Sequence, residues 1–374
     1  MKRQRVALIG ATGSIGAQTL EVISASPDRF EVVALAVGRE SSEARSLAAA
    51  YPGATLTTGL SGAQLSDAIL SKMPEIVVAA ATGLVGIHAT IAALDAGAVV
   101  AIANKETIIA GGEMVIGAAR RAAVRAGTSL LERLRPVDSE HSALWQCLAG
   151  ESQKCVERLW LTASGGPFRT WEAARIASAS VEDALNHPTW KMGGKITIDS
   201  ASLVNKGLEV IEAHRLFEVP MEMISILVHP QSIVHGAVSF TDGSMKAQMG
   251  EPDMRGPISY ALNFPGRSAH PARGVDLPAM SELTFAAPDL VRFPGLAVAL
   301  AAGERGGAAP ASLIVADDVA TTRFMSGEIT FGAIPALLAD AVARFGGQPE
   351  ADDLSTLADL DADVRAFALG WRPA

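Results

Sequence analysis

Over residues 1–110, short apolar runs rich in β-branched residues alternate with alanine-rich stretches. Residues 5–9, 31–37, 76–80 and 99–103 read as strands, and the stretches between them as helices, the first opening near Ser14. That rhythm predicts an α/β fold opening with a Rossmann-type, doubly wound parallel sheet. From Arg135 to about Pro265 the texture changes to Ser- and Gly-rich loops, with a helix expected over 201–217 and a strand over 224–228, an α+β pattern. Beyond Pro265, Pro271 and Pro278 the chain turns Ala/Leu-rich with helical periodicity. The expected organisation is therefore a nucleotide-binding domain at 1–125, a catalytic domain at 126–265, a linker at 266–289 and a C-terminal α-helical domain at 290–374.

Two apolar stretches imitate membrane signals. The run after Lys2, Arg3 and Arg5 breaks after four residues into a glycine loop, which suits a first strand better than a signal peptide. The stretch 76–103 is interrupted by His88, Asp95 and several glycines, which divide it into strand, helix and strand. No membrane association is expected. With a net charge of −9, the chain has no general attraction for nucleic acid, so any phosphate must be held by local donors. Its two cysteines, Cys147 and Cys155, form no CxxC pair or metal-ligand spacing, which fits a reducing cytoplasm.

The loop at 10–16, Gly-Ala-Thr-Gly-Ser-Ile-Gly, follows a strand and opens a helix. Glycines let a pyrophosphate approach the backbone, and the helix N-terminus offers it unpaired N–H groups. The second strand ends in Gly38-Arg39 rather than the carboxylate that would accept the ribose 2′-hydroxyl of NAD. Arg39 suits the 2′-phosphate of NADP, with Glu40 the one nearby complication; a solvated loop charge is the plainer alternative.

Rare residue types concentrate in the middle of the chain. Asp138 and Glu140 are two apart, so on an extended segment both face one side while Ser139 faces the other. Asn205 and Glu209 share one helix face, and Glu209 is a candidate third oxygen ligand. Such a set favours Mg²⁺ or Mn²⁺ over zinc. Ser164, Ser200, Asn205 and Lys206 are donors of the kind a phosphate needs. Lys105, beside Asn104 and Glu106 at the end of a strand, is placed to polarise a substrate oxygen or relay a proton, against the alternative of a strand-terminal charge. The loop at 187–194, with His187, Trp190, Met192, Gly193 and Gly194, reads as a flap over a ligand, or else as a buried tryptophan anchor.

Taken in order, these segments resemble the 1-deoxy-D-xylulose 5-phosphate reductoisomerases of non-mevalonate isoprenoid biosynthesis. The motifs are GATGSIG (10–16), ANKE (103–106), PVDSEHSA (136–143), LTASGGPFR (161–169), HPTWKMGGKITIDSASLVNKGLEVIEA (187–213), HPQSIVH (229–235) and GEPDMRGPISYALNFP (250–265). The resemblance implies NADPH contacts at Thr12, Gly13, Ser14, Ile15, Gly38, Arg39, Glu40, Asn104, Glu106 and Gly193. It implies metal ligation by Asp138, Glu140 and Glu209. Substrate binding falls to Lys105, Ser139, Glu140, Ser164, His187, Trp190, Ser200, Asn205, Lys206 and Glu209, with Lys105, Glu140 and Glu209 closest to the chemistry. The implied reaction breaks the C3–C4 bond of the sugar phosphate by a retro-aldol step, rejoins the fragments at C2, and reduces the resulting aldehyde with NADPH. A homodimer is implied as well.

Two departures from the family pattern stand out. Residues 132–135, Glu-Arg-Leu-Arg, interrupt what is usually an apolar strand before Asp138, and Asp317-Asp318 replaces a more usual Asn-Glu. Two rival functions also remain: an NADP-linked dehydrogenase acting through a cysteine thioester, and a dinucleotide sensor without chemistry.

Overall fold

The computed structural model describes residues 2–190, 192–269 and 271–373. The chain begins β1 (Gln4–Ile9), α1 (Ser14–Ser24), β2 (Phe30–Val37), α2 (Ser42–Ala50), β3 (Thr55–Thr58), α3 (Gly62–Leu70), β4 (Ile76–Ala79), α4 (Gly86–Asp95), β5 (Val99–Ile102) and α5 (Lys105–Ala126). It continues through α6 (Leu130–Arg133), β6 (Leu134–Pro136), α7 (Ser139–Leu148), β7 (Val156–Ala163), α8 (Ala173–Ala177), α9 (Val181–Leu185), α10 (Gly194–Ala201) and α11 (Val204–Phe217). After β8 (Ile224–Val228), β9 (Val234–Phe240), β10 (Met245–Met249) and α12 (Arg255–Asn263) come four long helices, α13 (Pro294–Arg305), α14 (Ala309–Met325), α15 (Ile334–Phe345) and α16 (Leu354–Gly370). These elements form two compact units, residues 1–145 with 253–274, and residues 146–252 with 275–374.

The first unit is built on a six-stranded parallel sheet in the order β3-β2-β1-β4-β5-β6, the doubly wound topology expected. Val6, Leu8, Leu35, Ile76 and Val78 fill its core, and Ile258 and Leu262 of α12 pack against it. The four anticipated strands are present within a residue or so of their expected ends. The edge strands β3 and β6 carry too few apolar residues to show a strand pattern: Thr-Leu-Thr-Thr in one, three residues in the other.

The interruption at 132–135 has a structural explanation. Ser129 and Glu132 form a reciprocal capping box that makes residues 130–133 a single helical turn. The chain then enters β6 in parallel register with β5, with Leu134 opposite Val100 and Pro136 opposite Ile102. Arg135 is buried in β6, where it donates from Nη1 to the carbonyl of Ala261 on α12 at 2.7 Å. Burial lowers its guanidinium to about 10.

The second unit holds a mixed sheet in the order β10-β9-β7-β8, with β7 parallel to β8 and antiparallel to β9. The helix expected over 201–217 is in fact two. Leu203 takes a left-handed conformation (φ 58°) that ends α10 and redirects the chain into α11, while the Ser202 hydroxyl accepts from the N–H of Val204. The C-terminal helices α13 to α16 fall where periodicity placed them.

Candidate active site

In the first unit the sequence-predicted cofactor residues gather at the carboxyl ends of the parallel strands, in the loops after β1, β2 and β5. Gly10 has φ 85°, and a β-carbon there would stand 2.6 Å from the carbonyl carbon of Ala80. Only glycine lets the loop after β1 lie against the loop after β4 at the point where strand order reverses. Thr12, Gly13 and Ser14 are exposed on this loop, with Ile15 half-buried behind them. Gly13 is the N-cap of α1 and supplies no side chain, so the first turn keeps N–H groups open to an anion. Gly38, Arg39 and Glu40 are exposed at the end of the adjacent β2. Glu40 faces Arg45 at 3.4 Å, and Arg39 makes no ion pair among the described residues. Asn104 closes this edge: its side chain caps α5 by accepting from Thr107 N–H at 2.8 Å and donates to the carbonyl of Gly83 at 2.8 Å, and also to that of Ala81. Glu106 lies in the first turn of α5.

The carboxylate pair departs from expectation. Residues 139–148 are helical rather than extended, so Asp138 and Glu140 are not side by side on a strand face. Asp138 starts the helix: its carbonyl accepts from Ser142 N–H at 2.8 Å and its Oδ1 from Glu140 N–H at 3.2 Å. The sequence signal for this cap was an aspartate before a glutamate in the first turn and an apolar Ala143-Leu144-Trp145 beyond it. Lys105 Nζ donates to Asp138 Oδ2 at 3.1 Å, and His141 Nδ1 lies 3.0 Å from Asp138 Oδ1. The Ser139 hydroxyl donates to Glu140 Oε2 at 2.5 Å. Lys105, Asp138, Ser139 and Glu140 therefore converge, and His141, to which the sequence pattern assigns no role, joins them.

In the second unit, β7 delivers Ser164 at its carboxyl end. Gly166 adopts φ 66°, and a β-carbon there would come within 2.8 Å of the Ser200 carbonyl, so this loop lies directly on α10. His187 joins the two serines: its Nε2 is 3.1 Å from Ser164 Oγ and 3.2 Å from Ser200 Oγ. Its Nδ1 accepts from the N–H groups of Thr189 and Trp190 at 3.2 and 2.9 Å, which puts the ring proton on Nε2. Burial holds its pKa below the ordinary range, keeping it neutral. The Nε2–H is thus directed at serine oxygens whose own protons are left for a ligand.

On α11, Glu209 Oε1 accepts from Asn205 Nδ2 and Oε2 from Lys206 Nζ; Lys206 and Glu209 are both buried. Trp190 is half-buried, its ring centroid 6.1 Å from that of His235, a buried residue to which the sequence pattern assigns no role. Gly193 is the N-cap of α10 with an ordinary φ of −65°, so it starts that helix rather than acting as a left-handed hinge. Of the expected flap, Lys191 lies outside the described residues, and Met192 is half-buried.

Neither cysteine suits thioester chemistry. Cys147 is buried in α7 and burial pushes its thiol up to about 11, while Cys155 is exposed on a short turn.

The family comparison is decisive. The family model described as 1-deoxy-D-xylulose 5-phosphate reductoisomerase matches residues 6–58 and 44–112, and models of the reductoisomerase C-terminal domains match 134–217 and 249–367. The enzyme of that name from Heliobacterium modesticaldum is 44% identical over 387 residues, covering 98% of this chain and 96% of its own length. The chain belongs to the 1-deoxy-D-xylulose 5-phosphate reductoisomerase family. Among solved reductoisomerases, that of Zymomonas mobilis in complex with NADPH is 35% identical with a TM-score of 0.87, covering 99% of each chain. Another, in complex with NADPH, fosmidomycin and magnesium, is 33% identical with a TM-score of 0.87, covering 98% of each chain. The reductoisomerase fold thus extends over essentially the whole chain. No helix among the described residues is long and apolar enough to cross a membrane.

Proposed function

We propose that this protein is an NADPH- and divalent-cation-dependent enzyme that converts 1-deoxy-D-xylulose 5-phosphate to 2-C-methyl-D-erythritol 4-phosphate in isoprenoid precursor biosynthesis. The observation that carries this reading is full-length kinship with a reductoisomerase whose solved structure holds NADPH, fosmidomycin and magnesium together.

The residues fit both groups. Asp138 and Glu140 of the first unit and Glu209 of the second would supply the oxygen donors, a ligand chemistry that suits Mg²⁺ or Mn²⁺; Lys105 pairs with Asp138 and Lys206 with Glu209. NADPH is assigned to the glycine loop with Thr12, Gly13, Ser14 and Ile15, to Gly38, Arg39 and Glu40, and to Asn104 and Glu106, with Arg39 for the 2′-phosphate; Gly193 of the second unit is assigned to it by family resemblance. When bound, the cation supplies Lewis acidity to the substrate's carbonyl and hydroxyl oxygens, and NADPH supplies the hydride.

The chain's own groups do the rest. Ser164 and Ser200, held by His187, turn their hydroxyl protons toward the substrate phosphate, and Asn205 and Lys206 complete its binding with an amide and an ammonium. Anchoring the phosphate keeps both fragments within reach once the C3–C4 bond is broken. Lys105 holds a proton at Nζ next to the reacting oxygens, with Ser139 and Glu140 beside it. Trp190 and Met192 cover the substrate and exclude water. We place the enzyme in the cytoplasm as a homodimer, a reading to which the exposed edge strand β10 lends a pairing surface.

Mutation of the carboxylates tests the assignment. Asp138→Asn and Glu209→Gln each lower kcat by about 100-fold or more with NADPH binding retained, since each removes part of the Lewis-acid stabilisation. Unchanged turnover in either variant removes that residue from the metal site. Fosmidomycin should compete with the sugar phosphate; inhibition that substrate does not relieve would contradict the shared site.

A further inference from the structure

The C-terminal helices reach α10 through a buried charge cluster. Lys195, in the first turn of α10, donates from Nζ to Asp199 Oδ2 at 2.8 Å and to Asp317 Oδ2, on α14, at 2.6 Å. Asp317 is fully buried, and its second oxygen has no hydrogen-bond partner among the described residues. The Lys195 ammonium is thus the group that balances its charge. Gly194 of α10 also faces α14, close enough that a β-carbon there would stand 3.3 Å from Met325 Sδ.

What α10 carries makes this contact consequential. Eight residues are too few to hold a helix by local propensity, and its N-cap supplies no side-chain hydrogen bond, so neighbours must fix it. Ser200 lies on this helix, 3.2 Å from His187, and its carbonyl abuts Gly166 of the loop bearing Ser164. Trp190 lies just before this helix in the sequence. A shift of α10 therefore moves one phosphate-binding serine relative to the other.

We propose that Asp317 is a positioning residue of the substrate-phosphate pocket: through Lys195 it pins α10 to the C-terminal helices and so sets where Ser200 stands beside His187 and Ser164. This inference rests on the functional reading above. Asp318, next in sequence, is half-exposed and pairs with Arg365 at 2.8 Å, so it provides a control on the same helix.

The test compares wild type, Asp317→Ala, Asp317→Asn and Asp318→Ala for KM and kcat with 1-deoxy-D-xylulose 5-phosphate at saturating NADPH and Mg²⁺. Inorganic phosphate binding is measured in parallel by calorimetry. Losing a charge-assisted hydrogen bond should weaken both sugar-phosphate KM and phosphate binding about tenfold in Asp317→Ala and about threefold in Asp317→Asn, with kcat within about twofold. Asp318→Ala should match wild type. A KM within about twofold of wild type in both Asp317 variants overturns the proposal, as does a fall in kcat at unchanged KM, the mark of mere loss of folded protein. Should Asp317→Ala not fold, Asp317→Asn alone decides. If wild type fails to turn over the sugar phosphate, the functional reading falls, and the calorimetric comparison still judges the role of Asp317.

Discussion

Lys105 Nζ stands 3.1 Å from Asp138 Oδ2, with the two side chains only 9% and 13% exposed. A buried ammonium beside a proposed metal ligand offers that carboxylate a charged partner and places a proton donor at the same point. Lys105→Met leaves the carboxylate without this partner and should cost about 3–5 kcal/mol of stability. Its kcat should fall by about 100-fold or more, the usual scale of acid–base assistance. Denaturant unfolding and steady-state kinetics measure the two losses; full activity in Lys105→Met would exclude it from the chemistry.

Arg39 stands exposed where β2 ends, on the strand that pairs with β1 and its glycine loop. Arg39→Ala should raise the KM for NADPH about tenfold or more while leaving any turnover with NADH unchanged, because only NADPH carries the 2′-phosphate. Equal losses with both nucleotides would mean that Arg39 does not read the phosphate.

His187 gives the pocket a pH dependence. Burial lowers its pKa below the ordinary 6.5, so the unfolded chain binds this proton more readily than the folded one. The stability it contributes is fully present above the unfolded value and is lost as pH falls through the folded one. Protonation would also put a proton on Nδ1, where two backbone N–H groups now donate. NMR titration should place the His187 midpoint below 6.5, and KM for the sugar phosphate should rise as pH falls through that midpoint. A midpoint above 6.5 would contradict the neutral, Nε2-protonated ring.

Gly166→Ala is expected to destabilise the second unit by about 1–3 kcal/mol, since a left-handed backbone and contact with the Ser200 carbonyl both oppose a side chain. The same substitution should weaken substrate binding by separating Ser164 from Ser200. Thermal unfolding and KM together report it; an unchanged Tm would contradict the crowding.

What was legible in the sequence follows from the range of the forces involved. Strand–glycine–helix at 10–16 and the short continuous apolar runs of β1, β2, β4 and β5 are local signals of a parallel sheet buried on both faces, and the nucleotide fold follows from them. Short edge strands such as β3 carry little hydrophobic signal, and β6 could be recognised only from its pairing with β5. Asp138 and Glu140 were legible as a pair, yet the period-2 reading of their geometry failed because a single aspartate cap turned the segment helical. Leu203 hid the break between α10 and α11, since nothing about a leucine announces a positive φ. The link between Lys195 and Asp317 spans 122 positions and was invisible without the fold. Resemblance supplied the residue roles that spacing alone left open.

The most direct test of the central claim is NADPH oxidation by the purified protein with 1-deoxy-D-xylulose 5-phosphate and Mn²⁺ or Mg²⁺, with the product identified by NMR. The account predicts one NADPH consumed per 2-C-methyl-D-erythritol 4-phosphate formed, with activity lost on exhaustive metal removal and restored by either cation. No turnover with either cation, or turnover that survives metal removal, would contradict it.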